Sequence, residues 1–237
     1  MKPVVIFLLS IFLLSSCSNK TTRVLLFTGG HLFERDEFFS MLESLPDITF
    51  EEVQHPNALA KLKPENRKSY DVILLYDMPN AISETEKADF INYLEEGNGL
   101  VVLHHSYCSY QDWPEYKAII GGKYYERKWV DENGVERPSS TFKHNVTFTV
   151  NVADKKHPIT KGIEDFEITD ETYKNSIINP GVHVLLTTTE PTSSPIIAWT
   201  NKYGKSEIPT ILLGHDDKVW TNPNFKQLLR QAILWAK

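Results

Sequence analysis

The chain has 237 residues, 41% hydrophobic, 24% charged and 11% aromatic, the make-up of a globular domain rather than a disordered or collagenous one. Its 25 Lys and Arg stand against 31 Asp and Glu, a formal charge of −6, which argues against a protein whose main work is neutralising nucleic-acid phosphates. A chain this long buries a full core without cross-links.

The first residues are set apart from the rest. Lys2 precedes an apolar run from Val4 to Leu14, interrupted only by Ser10. This is the charged start and hydrophobic centre of an export signal, too short to span a membrane comfortably. The run ends in Leu14-Ser15-Ser16-Cys17, which resembles a bacterial lipobox. The resemblance implies cleavage before Cys17 and lipidation of that cysteine, which becomes a membrane anchor. Residues 1–16 are expected to be the signal peptide, 17–22 a lipidated tether and 23–237 the folded domain. The expected location is the bacterial cell envelope, in the periplasm or at the outer membrane. Cys108 is then the remaining thiol, so no disulfide is expected within the domain despite export.

The body alternates strands and helices. Arg23–Thr28 is a short apolar run suited to a strand buried on both faces. Gly29-Gly30-His31 follows, and Glu34–Leu45 has helical spacing at Phe38, Phe39, Leu42 and Leu45. Ile48–Gln54 alternates as a second strand, and Val72–Tyr76 is a third, apolar throughout. Ser83-Glu84-Thr85-Glu86 is a capping box that opens a helix running to about Glu96 and ending at Gly97. Leu100–Leu103 is a fourth strand, and Trp113–Ile120 a short helix closed by Gly121-Gly122. This rhythm predicts a doubly wound α/β sheet, mostly parallel. The second half is strand-rich, with runs at Asn145–Val152, Phe166–Thr169, Val182–Thr188, Ile196–Thr200 and Ile208–Leu213. A last helix, Asn224–Ala236, is apolar at Phe225, Leu228, Leu229, Ala232, Ile233 and Trp235. Lys123–Lys143 lacks clear periodicity, which in a compact domain marks a functional or mobile loop.

Ligands of open parallel sheets bind beyond the carboxyl ends of the strands. Those ends carry His31, Tyr76-Asp77, His104-His105-Ser106-Tyr107, Thr169-Asp170-Glu171-Thr172-Tyr173 and Gly214-His215-Asp216-Asp217. Imidazoles, carboxylates and phenols therefore converge at one predicted edge, and such groups suit proton transfer or metal binding. Each has a plainer reading too: His31 as a helix cap, Glu171 as a turn cap. Because neighbours on a strand face opposite ways, one of His104 and His105 is expected to be buried and the other, His105, to face the cleft. His144, His157 and His183 stand alone and are left aside, with His157 before Pro158 expected to shape a turn. Cys108 lies four residues beyond the turn where a nucleophile on such a sheet belongs, so it is read as a semi-buried structural residue.

At these residues a family likeness is visible. FTGGHLFERDEFFSML, YDMP, GLVVLHHSYCSYQDWPEYKAIIGG and HPITKGIEDFEITDETY resemble the ThuA-like (trehalose-utilisation) family, in order. So do HVLLTT, PIIAWTNKYGKSEIPTILLGHD and NPNFKQLLRQAILWA, extending the likeness over about Val24 to Lys237. The resemblance implies a flavodoxin-like, class I glutamine amidotransferase-like fold in which His104 replaces the amidotransferase cysteine, so glutaminase activity is not expected. It implies a role in sugar utilisation, and His31, His104, His105, Glu171, Tyr173 and His215 as catalytic-site residues. One departure is Ser206-Glu207 after Tyr203-Gly204-Lys205, where relatives continue with a glycine and a basic residue.

The resemblance also implies a substrate, since the family commonly neighbours oxidoreductases that make 3-keto sugars. The chemistry then expected on a small carbohydrate is proton abstraction beside the carbonyl of a 3-keto sugar or glycoside, leading to elimination (or hydrolysis) or to keto-isomerisation. His105 or Glu171 would be the base, while His31, His215 or Tyr173 would stabilise or protonate. A divalent metal such as zinc is a further expectation, with His31, His105, Glu171 and His215 as its candidate ligands. Trp129, Tyr107, Tyr110 and Tyr124–Tyr125 are candidates to line the cleft, and Trp113 is read as core. The rival reading is a non-catalytic surface lipoprotein that binds a carbohydrate or a partner. Homo-oligomers are compatible with either reading, and nucleic acid with neither.

Overall fold

The computed structural model describes residues 21–237, so the expected export signal and the lipobox-like stretch with Cys17 lie outside the described residues. Among the described residues no helix is long and apolar enough to cross a membrane. The chain runs β1 (Thr22–Thr28), α1 (Arg35–Glu43), β2 (Ile48–Gln54), β3 (Val72–Leu75), α2 (Glu84–Glu95), β4 (Gly99–Leu103) and α3 (Pro114–Ile120). It continues as β5 (Thr141–Val152), β6 (Phe166–Lys174), β7 (His183–Thr187), β8 (Ile196–Tyr203), β9 (Ser206–Ile211), α4 (Asp217–Trp220) and α5 (Pro223–Ala236).

Nine strands form one sheet in the order β2-β1-β3-β4-β9-β8-β7-β5-β6. The first five in that order are parallel, with Val24 opposite Val72, Leu74 opposite Val101 and Val102 opposite Thr210. From β9 onward the pairings are antiparallel, which is the strand-rich half expected from the sequence. β3 and β4 are buried along their whole length, so both faces must be covered, and their unbroken apolar runs answer that need. The path from β1 to β2 crosses the sheet in the opposite direction to that from β3 to β4, and right-handed crossovers therefore place α1 and α2 on opposite faces. On one face Phe38 of α1 meets Trp220 of α4. On the other Phe90 of α2 meets Trp113 and Tyr116.

Local signals hold where they are strong. The Ser83 hydroxyl accepts the Glu86 N–H while the Ser83 N–H donates to the Glu86 carboxylate, so the capping box is complete. Helix α3 ends at Gly121 in the left-handed region (φ 78°). Helix α5 buries Phe225, Leu228, Leu229, Ala232 and Ile233. The departure at Ser206 leaves the β8–β9 turn intact, because Gly204 keeps φ 58° and the Ser206 hydroxyl reaches the carbonyls of Leu94 and Asn98. The segment from Lys123 to Lys143 carries a small hairpin, Trp129–Val130 against Glu136–Arg137, whose Asp131 carboxylate accepts the Asn133 and Val135 N–H groups.

Three strands run well beyond their expected bounds. β8 continues to Tyr203. β5 begins at Thr141 and β6 runs to Lys174, the added residues of these two pairing with one another: Phe142 with Tyr173 and Lys143 with Thr172. Their polar and charged composition hid them, since a ladder at the edge of a sheet needs no apolar run. Helix α4, a single turn capped by the Asp216 carboxylate, also carries no periodic signal.

The first loop crosses over the third. Gly30 has φ 80°, and a Cβ built there would lie 2.3 Å from the Met78 carbonyl oxygen. Gly30→Ala is therefore expected to destabilise the domain by about 2 kcal/mol or more. Gly134→Ala has a similar φ of 77° but open space around it, and should cost only the backbone share. Urea unfolding midpoints compare the two.

Candidate active site

Beyond Leu103 the chain enters a tight 3-10 turn, His104–Cys108, with His104 at φ 47°. Such a conformation is unusual away from glycine and marks a position held by its surroundings. Buried Asp77 does much of the holding. Its carboxylate accepts the Ser106 hydroxyl at 2.8 Å and faces His55 Nε2 at 2.7 Å, while its N–H donates to Ser106 Oγ.

The turn sends the His104 ring beneath the end of β9, where Nδ1 lies 2.6 Å from the Leu212 carbonyl oxygen. A carbonyl only accepts, so Nδ1 carries the hydrogen and Nε2 of the neutral ring carries a lone pair. The Tyr173 hydroxyl donates to Nε2 at 3.0 Å. His215 Nδ1 is 3.3 Å away and Glu171 Oε2 is 3.7 Å away.

His215 is placed by backbone. Asp170 on β6 accepts the N–H groups of Gly214 and His215, and the Gly214 carbonyl receives Tyr76 Oη–H and Trp220 Nε1–H, each at 2.9 Å. Burial pushes the Asp170 carboxyl up to about 6, although His104 and the backbone donors favour its charge. The next residue, Glu171, reaches His215 Nδ1 at 2.7 Å. Burial opposes its charge too, but the imidazoles of His104 and His215 prevail and hold it at about 2. The same pairing raises His215 above the usual histidine range against the desolvation that would lower it.

His105 is buried, with its ring edge-on to His104 at 4.2 Å between centroids, and His31 stacks on it at 3.6 Å. Burial, then the neighbouring His104, lowers both His31 and His105, the latter strongly. His105 Nε2 has no hydrogen-bond partner among the described residues. The ligand atoms of His104, His105, Glu171 and His215 all lie within 4.8 Å of one another. The donor group thus contains His104 where the sequence suggested His31, whose ring stacks on that of His105.

A pocket of about 440 Å³ opens over these groups, lined among others by His31, His105, Tyr124, Phe142, Glu171 and His215. Its size is within the range usual for small-molecule sites, about 300–1,000 Å³. Tyr107, Tyr110 and Trp113 are buried in the core, and Trp129 stacks on Tyr125 beside a separate cavity. Of the aromatic residues expected in the cleft, Tyr124 lines this pocket.

The ThuA family model, described as trehalose utilisation, matches residues 23–236. The chain belongs to this family. Similar solved structures include a ThuA-like protein from Parabacteroides merdae ATCC 43184, 20% identical, with TM-score 0.76 over 92% of this chain and 90% of the other. A ThuA-like protein from Bacteroides uniformis ATCC 8492 is also 20% identical, with TM-score 0.66 over 91% of each chain. PurLQS from Thermotoga maritima shares the fold at 13% identity, TM-score 0.55, over 92% of this chain and 100% of that one. No curated protein matches the sequence.

In this ThuA domain the residues singled out from the sequence, His31, His104, His105, Glu171, Tyr173 and His215, meet around one pocket, by routes that differ in part from those expected. His104 and His105 do not alternate across a strand, since they lie in the turn after β4 and both rings enter the cluster. Asp170, Glu171 and Tyr173 do not follow a strand end but sit within β6. His31 does not cap α1, whose N-cap residue is Glu34. His144 was passed over although its Nδ1 is 3.5 Å from Glu171 Oε2 and its ring 4.7 Å from that of His215. Taking the strand to begin at Thr141 would have found it, because Phe142 and His144 then share a face. Cys108 is buried and its thiol is pushed well above its usual range by that burial, so it is a poor nucleophile.

Asp170 presents acceptors only, to three backbone N–H groups including that of Glu171. Asp170→Asn sets an amide donor against one of them and is expected to cost about 1–3 kcal/mol in urea unfolding.

Proposed function

We propose that this ThuA-family protein is a carbohydrate-active enzyme of sugar utilisation that removes a proton beside the carbonyl of a 3-keto sugar or glycoside. One observation carries the reading. A neutral, accessible imidazole, His31, shares a pocket with His215, which Glu171 holds toward its charged, proton-donating form.

In a 3-keto glycoside the hydrogen at C2 is acidic because the electrons it leaves behind pass into the C3 carbonyl. Removing it gives an enolate with negative charge on the C3 oxygen. The enolate either expels the oxygen at C1, forming a C1–C2 double bond, or passes the proton of its C2 hydroxyl to the C3 oxygen, takes a proton at C3 and so moves the carbonyl to C2. Both outcomes need a base, an oxyanion stabiliser and an acid. Glu171, at about 2, is a weak base, and His105 is buried. The exposed His31 is therefore favoured as the proton acceptor over His105 and Glu171. His215, held toward its protonated form by Glu171, faces the developing oxyanion, and the Tyr173 phenol, kept neutral by burial, returns a proton.

The export signal and Leu14-Ser15-Ser16-Cys17 support action from the cell envelope, on a lipid anchor at Cys17. A small sugar is the partner in this reading.

The test is NMR of the protein with 3-keto glucosides in D₂O, with the parent glycosides as controls. The expected result is deuterium at C2 or release of the aglycone from keto sugars only, with the rate cut about 10²–10⁴-fold in His31→Ala. Keto sugars that stay intact with and without added divalent metal would reject the lyase or isomerase reading and favour a binding lipoprotein.

A further inference from the structure

We propose that His104, His105, Glu171 and His215 bind one first-row divalent ion of the zinc type, and that this ion is the electrophile of the pocket. The binding site is argued from geometry alone; the electrophilic role rests on the function proposed above.

Three donor atoms already form a triangle. His104 Nε2 to His215 Nδ1 is 3.3 Å, His104 Nε2 to Glu171 Oε2 is 3.7 Å, and His215 Nδ1 to Glu171 Oε2 is 2.7 Å. Zinc bonds of about 2.0–2.2 Å in a tetrahedron put neighbouring donors about 3.3–3.5 Å apart. Two sides are close to that spacing, and the short one is a hydrogen bond that opens when an ion replaces its proton. The balance is simple: His215 Nδ1 gives up its hydrogen to solvent and its lone pair to the ion.

The surroundings of the triangle suit ligands. The Leu212 carbonyl fixes His104 as the tautomer whose Nε2 lone pair points into the cluster, the outer contact that metal-bound histidines ordinarily have. His144 Nδ1, 3.5 Å from Glu171 Oε2, lies where it can orient the carboxylate from outside. The fourth donor is His105, only 4% exposed, which has a ring nitrogen within the same donor group and an Nε2 left without a hydrogen-bond partner among the described residues. A buried acceptor or donor left without a partner is costly, and a ligand bond removes that cost. Three imidazoles and a carboxylate suit zinc and its neighbours better than calcium or magnesium, which take oxygen donors. Glu171, His105 and His215 line the pocket, so an ion enters from it, and a sugar oxygen reaches the ion as a fifth ligand. An ion on His104 Nε2 also displaces the Tyr173 hydroxyl from that atom, freeing it to face the substrate.

The test is calorimetric titration of the chelator-treated protein with zinc chloride, and with cobalt(II) chloride while recording the visible spectrum. The expected result is one ion per chain and the absorption bands of four- or five-coordinate cobalt. Glu171→Gln, close in shape, and His104→Ala are expected to weaken binding by more than the ~10–100-fold that loss of an outer contact costs. His183→Ala serves as the control, since that ring sits against Asp154 and His157 elsewhere on the surface, and it should bind as the parent does. No binding by the parent protein, or binding that survives Glu171→Gln and His104→Ala but is lost in His183→Ala, overturns the site. An ion held here with keto sugars left intact upholds the site and rejects the function. Turnover by protein that binds no ion does the reverse.

Discussion

Two neighbouring carboxylates on β6, Asp170 and Glu171, are buried, and the candidate site is arranged around satisfying them. A buried anion is tolerated only when donors surround it. Asp170 takes its donors from the backbone of the loop after β9 and Glu171 from His215 on the same loop, while Tyr173 of the same strand donates to His104 in the turn after β4. One strand from the antiparallel half thereby ties together two strand ends of the parallel half. The Gly214 peptide is held on both sides, by Asp170 at its N–H and by Tyr76 and Trp220 at its carbonyl, so His215 has little freedom to leave.

The same burial sorts the histidines into different states. His215, beside Glu171, is held toward its charged form, whereas His105 and His31 are held neutral by desolvation and by other imidazoles. The proposed enolate chemistry calls for such a pairing of a proton donor with a neutral base, and for no nucleophile. The position after β4 holds His104 rather than a thiol, and the nearby thiol, Cys108, is buried and disfavoured as a thiolate. Membership of the ThuA family fits sugar utilisation, and the geometry sharpens that into a question about proton transfer.

The likeness to solved relatives at about one-fifth identity extends over nearly the whole chain, so the architecture persists while most side chains change. Such a fold needs apolar runs on β1, β3 and β4 and an apolar stripe on α5, and many residues meet those needs equally well. What a particular member does is then decided by the few side chains at the strand ends.

Those two kinds of requirement differ in how well the sequence alone displays them. The parallel half was legible because each strand buried on both faces is an apolar run, and each helix carries local signals such as Ser83 with Glu86 and Gly121 after α3. The residue types of the site were legible too, since His31, His104 and His215 each follow such a run. The polar stretches Thr141–His144 and Asp170–Lys174 showed no strand character, because a ladder that long-range hydrogen bonds hold together leaves no period in one segment. His144 therefore went unseen, and the roles within the His104–His105 pair could not be divided until the 3-10 turn placed both rings inward. Composition and periodicity determined the layers and the candidate residues. Tertiary pairing decided which of them share a carboxylate, because contact between residues 104, 171 and 215 depends on how distant strands align and not on any local preference.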